Sequence, residues 1–311
     1  MALRVTVVGA GGIGGYFGGR LAAAGHEVGF LARGAHLEAL RGQGLTVHGP
    51  AGDVVLPPVP ASDDPGDLGV ADLVLLAVKT WQLDALVDRL DPLVGSGTAI
   101  LTTQNGIDTP ERVAERFGRE AVLPGTAKVF ANVEAPGHVR HVGGPGLLTY
   151  GEWDNRRSPR VERIRRALDR AGVPVDVPPD IWVELWSKFL FVVPFGTLGA
   201  ATDATIGELR SRPDTRELLT TLMREIHAVA RARGVALPDD IVGTTLDFVD
   251  QQPEQGRSSL QRDILAGRPS ELEAWTGAVV RSGAATGVPT PAHDMFYEQL
   301  SARRLLGPGR G

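Results

Sequence analysis

The chain of 311 residues contains no cysteine. Disulfides, zinc ribbons, iron–sulfur clusters and a thiol nucleophile are therefore excluded. No run of about 18 apolar residues occurs, so no segment reads as a membrane span. A basic surplus is missing as well. Thirty-two Lys and Arg against 37 Asp and Glu leave a net charge of −5, which gives no sign of nucleic-acid binding. Arg156, Arg157, Arg160, Arg163, Arg165 and Arg166 do cluster, but Glu162 and Asp169 interrupt them at helical spacing, as on a solvated helix face. There is no repeat with a period of 20 to 50 residues, no P-loop and no G-x-S-x-G. No metal site is expected. His138 and His141 lie three apart on a strand-like stretch, which puts them on opposite faces. Asp63-Asp64 and Asp239-Asp240 read as turn and helix-start acids. Arg4 ahead of a small apolar run resembles a signal peptide, but the run is full of glycine and continues into a helix pattern. It reads as folded structure, and the expected location is cytoplasmic.

A hydrophobic content of 42% fits a globular chain. At about 150 residues per domain, the length suggests two domains. The unusual component is glycine: 40 residues, about 13% against a usual ~7%. Twenty-six of the 40 fall in the first 151 residues, and seven lie between Gly9 and Gly19.

The stretch from Leu3 to Val8 is β-branched and apolar, the mark of a buried strand. Gly9-Ala10-Gly11-Gly12-Ile13-Gly14 follows and matches G-x-G-x-x-G. A helix is expected over Tyr16–Ala24 and a second strand from His26 to Leu31. In such a strand–turn–helix–strand frame, Gly9 allows the tight turn and Gly11 lets the backbone approach a pyrophosphate. Gly14 lets helix and strand pack closely, and the phosphates face the helix N-terminus. Gly12 and Ile13, inside the motif, belong to the same candidate cofactor site. An NAD site places an acid at the end of the second strand, for the ribose 2′-hydroxyl. Here Glu27 opens that strand and Arg33 closes it. A guanidinium there suits a 2′-phosphate, so NADP(H) is the expected cofactor. The alternative for Arg33 is an ordinary surface arginine.

Leu73 to Val78 is a near-continuous apolar strand, as a parallel sheet covered on both faces requires. Lys79-Thr80-Trp81-Gln82 leads from it into an expected helix over Leu83–Leu90. Thr98 to Thr102 forms another strand, ending at Gln104-Asn105-Gly106. Residues just past strand C-termini line the ligand crevice of an open α/β sheet, which makes Lys79 and Asn105 candidates. For Asn105, simple turn chemistry is the competing account.

The composition breaks between Val173-Pro174 and Pro178-Pro179, and Asp180 is suited to cap a helix. Beyond it the pattern is helical throughout. Trp182, Leu185, Trp186 and Phe189 form a buried stripe. Further helices are expected over Arg216–Arg233, Asp239–Gln251, Ser258–Leu265, Ser270–Ala285 and Ala292–Leu300, with a mobile glycine-rich tail. The expected architecture is an α/β Rossmann domain with a mostly parallel, doubly wound sheet (1–178), followed by an all-α substrate domain (179–311). Lys188 stands out between Trp186 and an apolar run. Pairing with Glu184 at i, i+4 is its structural account. The helical half is also a candidate dimer interface.

Several segments occur in order along the chain. They are the first 34 residues, Lys79-Thr80-Trp81-Gln82, Gln104-Asn105-Gly106, Glu184-Leu185-Trp186-Ser187-Lys188, Gly207-Glu208-Leu209 and Ser258 through Glu271. In this combination the chain resembles the ketopantoate reductases (2-dehydropantoate 2-reductases) over both halves. The resemblance implies reduction of a 2-oxo acid to a 2-hydroxy acid by NADPH. It implies that Gly9, Gly11 and Gly14 hold the pyrophosphate, Arg33 the 2′-phosphate, and that Lys79 and Asn105 lie along the cofactor, Asn105 also towards substrate. Lys188 matches the lysine that gives a proton to the substrate oxygen, and Ser259 a hydroxyl that binds substrate. Glu271 matches an acid near the nicotinamide ribose and that lysine. Val192, Gly196 and Ile206 stand where the family pattern has asparagines. A less polar keto acid or ketone as substrate, and a non-catalytic NADP sensor, are the alternatives.

Overall fold

A computed structural model describes residues 2–306; the glycine-rich tail from 307 lies outside the described residues. The chain divides into two compact units. One comprises 1–104 and 109–181, the other 105–108 and 182–311.

The first unit runs β1 (Arg4–Val8), α1 (Gly12–Ala23), β2 (Glu27–Leu31), α2 (Gly34–Gly42), β3 (Leu45–His48), β4 (Val54–Leu56), β5 (Ala61–Ser62) and β6 (Leu73–Leu76). It continues with α3 (Asp84–Val87), β7 (Ala99–Thr102), α4 (Thr109–Phe117), β8 (Val122–Leu123), β9 (Gly125–Ala135), β10 (His138–Tyr150), α5 (Pro159–Arg170) and β11 (Val175–Asp176). Six strands form a wholly parallel sheet in the order β5-β2-β1-β6-β7-β8. The apolar runs are continuous because both faces are covered. Val5, Val7, Leu73, Leu75 and Leu101 point into one core, and Val8, Val74, Leu76 and Ile100 into another. The period of two splits each strand between the two cores.

A second, five-stranded sheet was not expected from the sequence. Its order is β11-β10-β3-β4, with β9 hairpinned antiparallel onto β10. Helix α1 is packed between the sheets, which accounts for its composition. A Cβ on Gly14 would come 2.0 Å from Gly9 O and 2.8 Å from Val7 Cγ1, and one on Gly18 would meet Phe30 and Val7. On the opposite face, a Cβ on Gly12, Gly15 or Gly19 would strike Ala131 of β9, Val139 of β10 or Val47 of β3. The helix accordingly starts at Gly12, not Tyr16: close approach on two sides outweighs the ~0.5–1 kcal/mol that each helical glycine costs.

The expected helix over Leu83–Leu90 is broken into turns of 3₁₀ helix (Thr80–Gln82 and Asp88–Leu93) around the short α3. Pro92 has no amide to continue an α-helix. Four of the six clustered arginines (Arg160, Arg163, Arg165 and Arg166) lie on α5, and Arg156 and Arg157 precede it. Ser158 caps that helix, and Arg165 lies 3.0 Å from Glu162 and 2.7 Å from Asp169. His138 is exposed on β10 and His141 buried.

The second unit contains α6 (Ile181–Thr202), α7 (Ile206–Ser211), α8 (Pro213–Ala232), α9 (Ile241–Asp250), α10 (Ser259–Leu265), α11 (Thr276–Thr286) and α12 (Pro291–Leu306), α6 beginning at the last residue of the first unit. By length and composition α6 could cross a membrane, but 61% of its apolar window is buried within the fold, as in a core helix. Its first amide, Ile181 N–H, is capped by the Asn155 side chain at 2.9 Å. Helix α11 starts at Thr276, six residues later than expected. Residues 271–275 form a turn in which Trp275 N–H donates to Glu271 O (3.0 Å) and Gly277 N–H to Leu272 O (3.1 Å). The buried Trp275 ring takes the place of a regular first turn.

Candidate active site

In the first unit, the candidate residues gather at the C-terminal edge of the parallel sheet. Gly9 turns out of β1 with φ +96°, a left-handed conformation that side chains rarely adopt. Its N–H donates to Leu31 O at the end of β2, at 3.1 Å. A Cβ there would lie 2.7 Å from Val78 Cγ1, so Lys79 follows directly on the chain touching the turn. Gly11 has nothing within 4 Å of where its Cβ would be. It precedes α1 as N-cap with no side-chain cap, and no acid occupies the first helical turn. A dinucleotide pyrophosphate fits these residues. There is open space over Gly11, and the unblocked amides and positive end of α1 face it.

Arg33 is exposed just beyond β2 and serves as N-cap of α2, whose first turn also lacks an acid. Guanidinium and helix terminus therefore present positive potential together. Sequence reasoning missed His36, in that first turn. Its Nδ1 accepts the Gly137 N–H at 3.1 Å, joining α2 to the β9–β10 turn. Burial holds this imidazole below its ordinary pKa, against the weaker opposing pull of the Ala10 carbonyl. Gln104 was also overlooked. Its Nε2 donates to Leu76 O (2.8 Å) and Val78 O (3.0 Å), fixing the end of β7 to the segment that leads into Lys79. Lys79 itself is half-buried and caps the following 3₁₀ turn, with Gln82 Oε1 accepting its N–H at 3.1 Å.

Asn105 comes next after Gln104 but groups with the helical unit, in which Ile107 is part of the core. The remaining candidates also lie in that unit. Lys188 is half-buried on α6. Most of α6 is buried, but Glu184, Ser187, Lys188, Phe191 and Val192 leave one partly accessible stripe at spacings of three and four. Ser259 is half-buried at the first position of α10, and the capping role there is taken by Ser258, whose Oγ accepts the Gln261 N–H at 3.0 Å. Glu271 is only 4% exposed, in the turn before α11. Packing draws these elements together. A Cβ on Gly196 of α6 would lie 2.7 Å from the Trp275 ring and 3.3 Å from Leu260, and one on Gly199 would lie 2.8 Å from Gln261 Oε1. Leu260 adjoins Ser259, and Trp275 is bonded to the Glu271 carbonyl. Of the three departures from the family pattern, Val192 is half-buried, Gly196 is covered by Trp275, and Ile206 is core at 1% exposure.

Residues 5–155 match the family model described as ketopantoate reductase PanE/ApbA, and residues 180–304 its C-terminal counterpart. The chain belongs to the ketopantoate reductase PanE/ApbA family. It is thus an oxidoreductase of the class that interconverts a carbonyl and a CH–OH group. Among its relatives, a 2-dehydropantoate 2-reductase of Mesorhizobium japonicum is 31% identical over 330 aligned positions, covering 99% of each chain. One from a Nostoc species is 30% identical, covering 96% of this chain and 94% of that one. The solved structure of 2-dehydropantoate 2-reductase from Geobacter metallireducens superposes with a TM-score of 0.89 at 34% identity, covering 96% of this chain and 99% of the other. Ketopantoate reductases thus share both the Rossmann-type unit and the helical unit with this chain.

Proposed function

We propose that the protein reduces 2-dehydropantoate to pantoate with NADPH in the cytoplasm. The observation that carries the cofactor half of this reading is the exposed Arg33 at the end of β2, ahead of an uncapped helix, where an NAD site would have an acid. The α1 amides would take the pyrophosphate and Arg33 the 2′-phosphate, with Lys79 and Asn105 along the cofactor. When bound, the reduced nicotinamide supplies a hydride to the substrate carbonyl carbon.

Everything else falls to side chains of the helical unit. As the hydride arrives, negative charge grows on the carbonyl oxygen. Lys188 Nζ stabilises that charge and delivers the proton that completes the alcohol. Its positive charge also draws the substrate carboxylate. Glu271 is the acid assigned to act with this lysine, and Ser259 hydrogen-bonds the substrate. The curated relatives named as 2-dehydropantoate 2-reductases support this substrate for the present chain.

The test is consumption of NADPH followed by absorbance with 2-dehydropantoate, coupled to detection of pantoate. Turnover with a clear preference for NADPH over NADH is expected. Tight NADPH binding without turnover on any 2-oxo acid would instead indicate a sensor of the cofactor.

A further inference from the structure

We propose that Arg281 is a positioning residue for the reaction: its guanidinium clasps the segment that carries Asn105 to the turn that carries Glu271 and so fixes the spacing between them. This rests on the reading given above, in which Asn105 and Glu271 both serve the reaction.

The segment 105–108 has no regular secondary structure of its own. Ile107 anchors it in the same apolar core as Leu272, Trp275 and Ala278. Apolar burial is non-directional, so it holds the segment down without fixing its orientation. Asp108 adds a directional contact. Arg281 Nη2 donates to Asp108 Oδ2 at 3.3 Å, across 173 positions of sequence. The same nitrogen donates to Glu273 O at 3.0 Å, and Nη1 donates to Glu273 Oε1 at 2.5 Å. The Tyr297 hydroxyl of α12 donates to the other carboxylate oxygen, Glu273 Oε2, at 2.7 Å. Glu273 lies two residues after Glu271, within the turn that the Trp275 N–H to Glu271 O bond closes. One planar fork therefore holds two segments at once, three residues from Asn105 and two from Glu271.

Helix α11 is built to let the fork through. Side chains on a helix lean towards its N-terminus, and Arg281 reaches back past Gly277, one turn earlier. A Cβ on Gly277 would lie 3.0 Å from Arg281 Nη1, 3.0 Å from Tyr297 Cε2 and 3.1 Å from Glu273 Oε1. Any side chain there would press on all three members of the cluster. The guanidinium suits the task because its donors are fixed in one plane, whereas an ammonium is a point charge.

The side chains of Arg281 and Glu273 are at least half exposed, and that of Asp108 is 25% exposed. Ion pairs this open to water add little to folding stability. Misplacing a reacting group by about 1 Å, in contrast, can cost about 100-fold in rate. A surface pair without a role would change neither melting temperature nor rate on removal, and a structural pair would change both. A positioning clasp changes the rate alone.

The experiment uses Arg281→Met in the full chain, with a thermal melt, an NADPH titration and steady-state reduction of 2-dehydropantoate. A fall in kcat of about 10-fold is expected, with KM and NADPH affinity within about threefold of the parent and Tm within about 3 °C. An unchanged kcat, or a fall in kcat with a larger loss of Tm, overturns the inference and leaves the proposed activity standing. Failure of the parent enzyme to reduce 2-dehydropantoate overturns that activity, and the inference with it. Asp108→Asn tests the other end of the clasp. It is expected to lower kcat about as much, with the double variant no slower than Arg281→Met alone. Losses that multiply in the double variant would mean two independent effects and overturn the clasp.

Discussion

In helix α1, five of twelve residues are glycine, and the helix is pressed between two sheets, with Tyr16, Phe17 and Leu21 as its large buried side chains. In helix α6, 22 residues long, the contact faces are filled by Trp186, Phe189, Leu190 and Val193, and one stripe keeps its lysine. The first helix offers a ligand its backbone: open amides, a positive dipole end and empty space over Gly11. The second offers side chains. An anion such as pyrophosphate is well served by fixed N–H groups, because they cost no reorganisation on binding. Proton delivery has to come from a titratable side chain. The division of labour proposed for the two units follows from these two demands.

The comparison can be broken most severely at α1. Gly14→Val should cost at least about 3 kcal/mol, since the new atoms would meet Gly9 O and Val7 in a space with no slack. A thermal melt and an NADPH titration should both register the loss, and a native-like melting temperature would show that α1 is not clamped. Next in size is Glu271→Gln in the helical unit. Turnover should fall about 100-fold if the carboxylate acts with Lys188, with NADPH affinity little altered. A fall in affinity alone would reassign Glu271 to cofactor holding. Arg33→Ala should weaken NADPH binding about 10- to 100-fold and leave NADH almost unchanged, as read by titration of both nucleotides. Equal losses for both would remove the 2′-phosphate role.

The smallest effect distinguishes the units by acid. Burial lowers the pKa values of His26, His36 and His293 below their ordinary 6.5. Each therefore contributes stability that is present above pH 6.5 and is lost as the pH falls through its folded value. His26 and His36 accept backbone N–H groups from Leu3 and Gly137 at Nδ1, bonds that protonation breaks. His293 Nδ1 instead lies 2.6 Å from Glu225 Oε2, which favours the charged ring. Between about pH 7 and 5, the protection of the amides of Leu3 and Gly137 against exchange, relative to their intrinsic rates, should fall more than that of Ala292 and His293. The reverse order would contradict this assignment.

The same contrast explains what could be read from the chain before its structure. The turn at Gly9 and the close packing at Gly14 were legible because such backbone demands leave a mark in residue type and spacing. The parallel strands were legible because burial on both faces makes them continuously apolar. The second sheet was not, since β3 and β4 are short and the β9–β10 hairpin is half-exposed and bulged near Gly143. Its partners are far apart in sequence, and α1's glycines read as a phosphate turn without revealing the sheet on their other side. Lys188 was singled out by its apolar surroundings, but periodicity could not show that α6 leaves a stripe open there. The late start of α11 depends on where the Trp275 ring lodges, a tertiary fact. Gly196 showed only as a departure from the family pattern until the Trp275 ring was placed against it.

The division of labour is tested most directly by a Lys188→Met variant examined in two ways, by titration with NADPH and by single-turnover reduction of 2-dehydropantoate. The account predicts NADPH affinity within about twofold of the parent and reduction slowed by about 100-fold or more. Reduction at near-parental rate would contradict it.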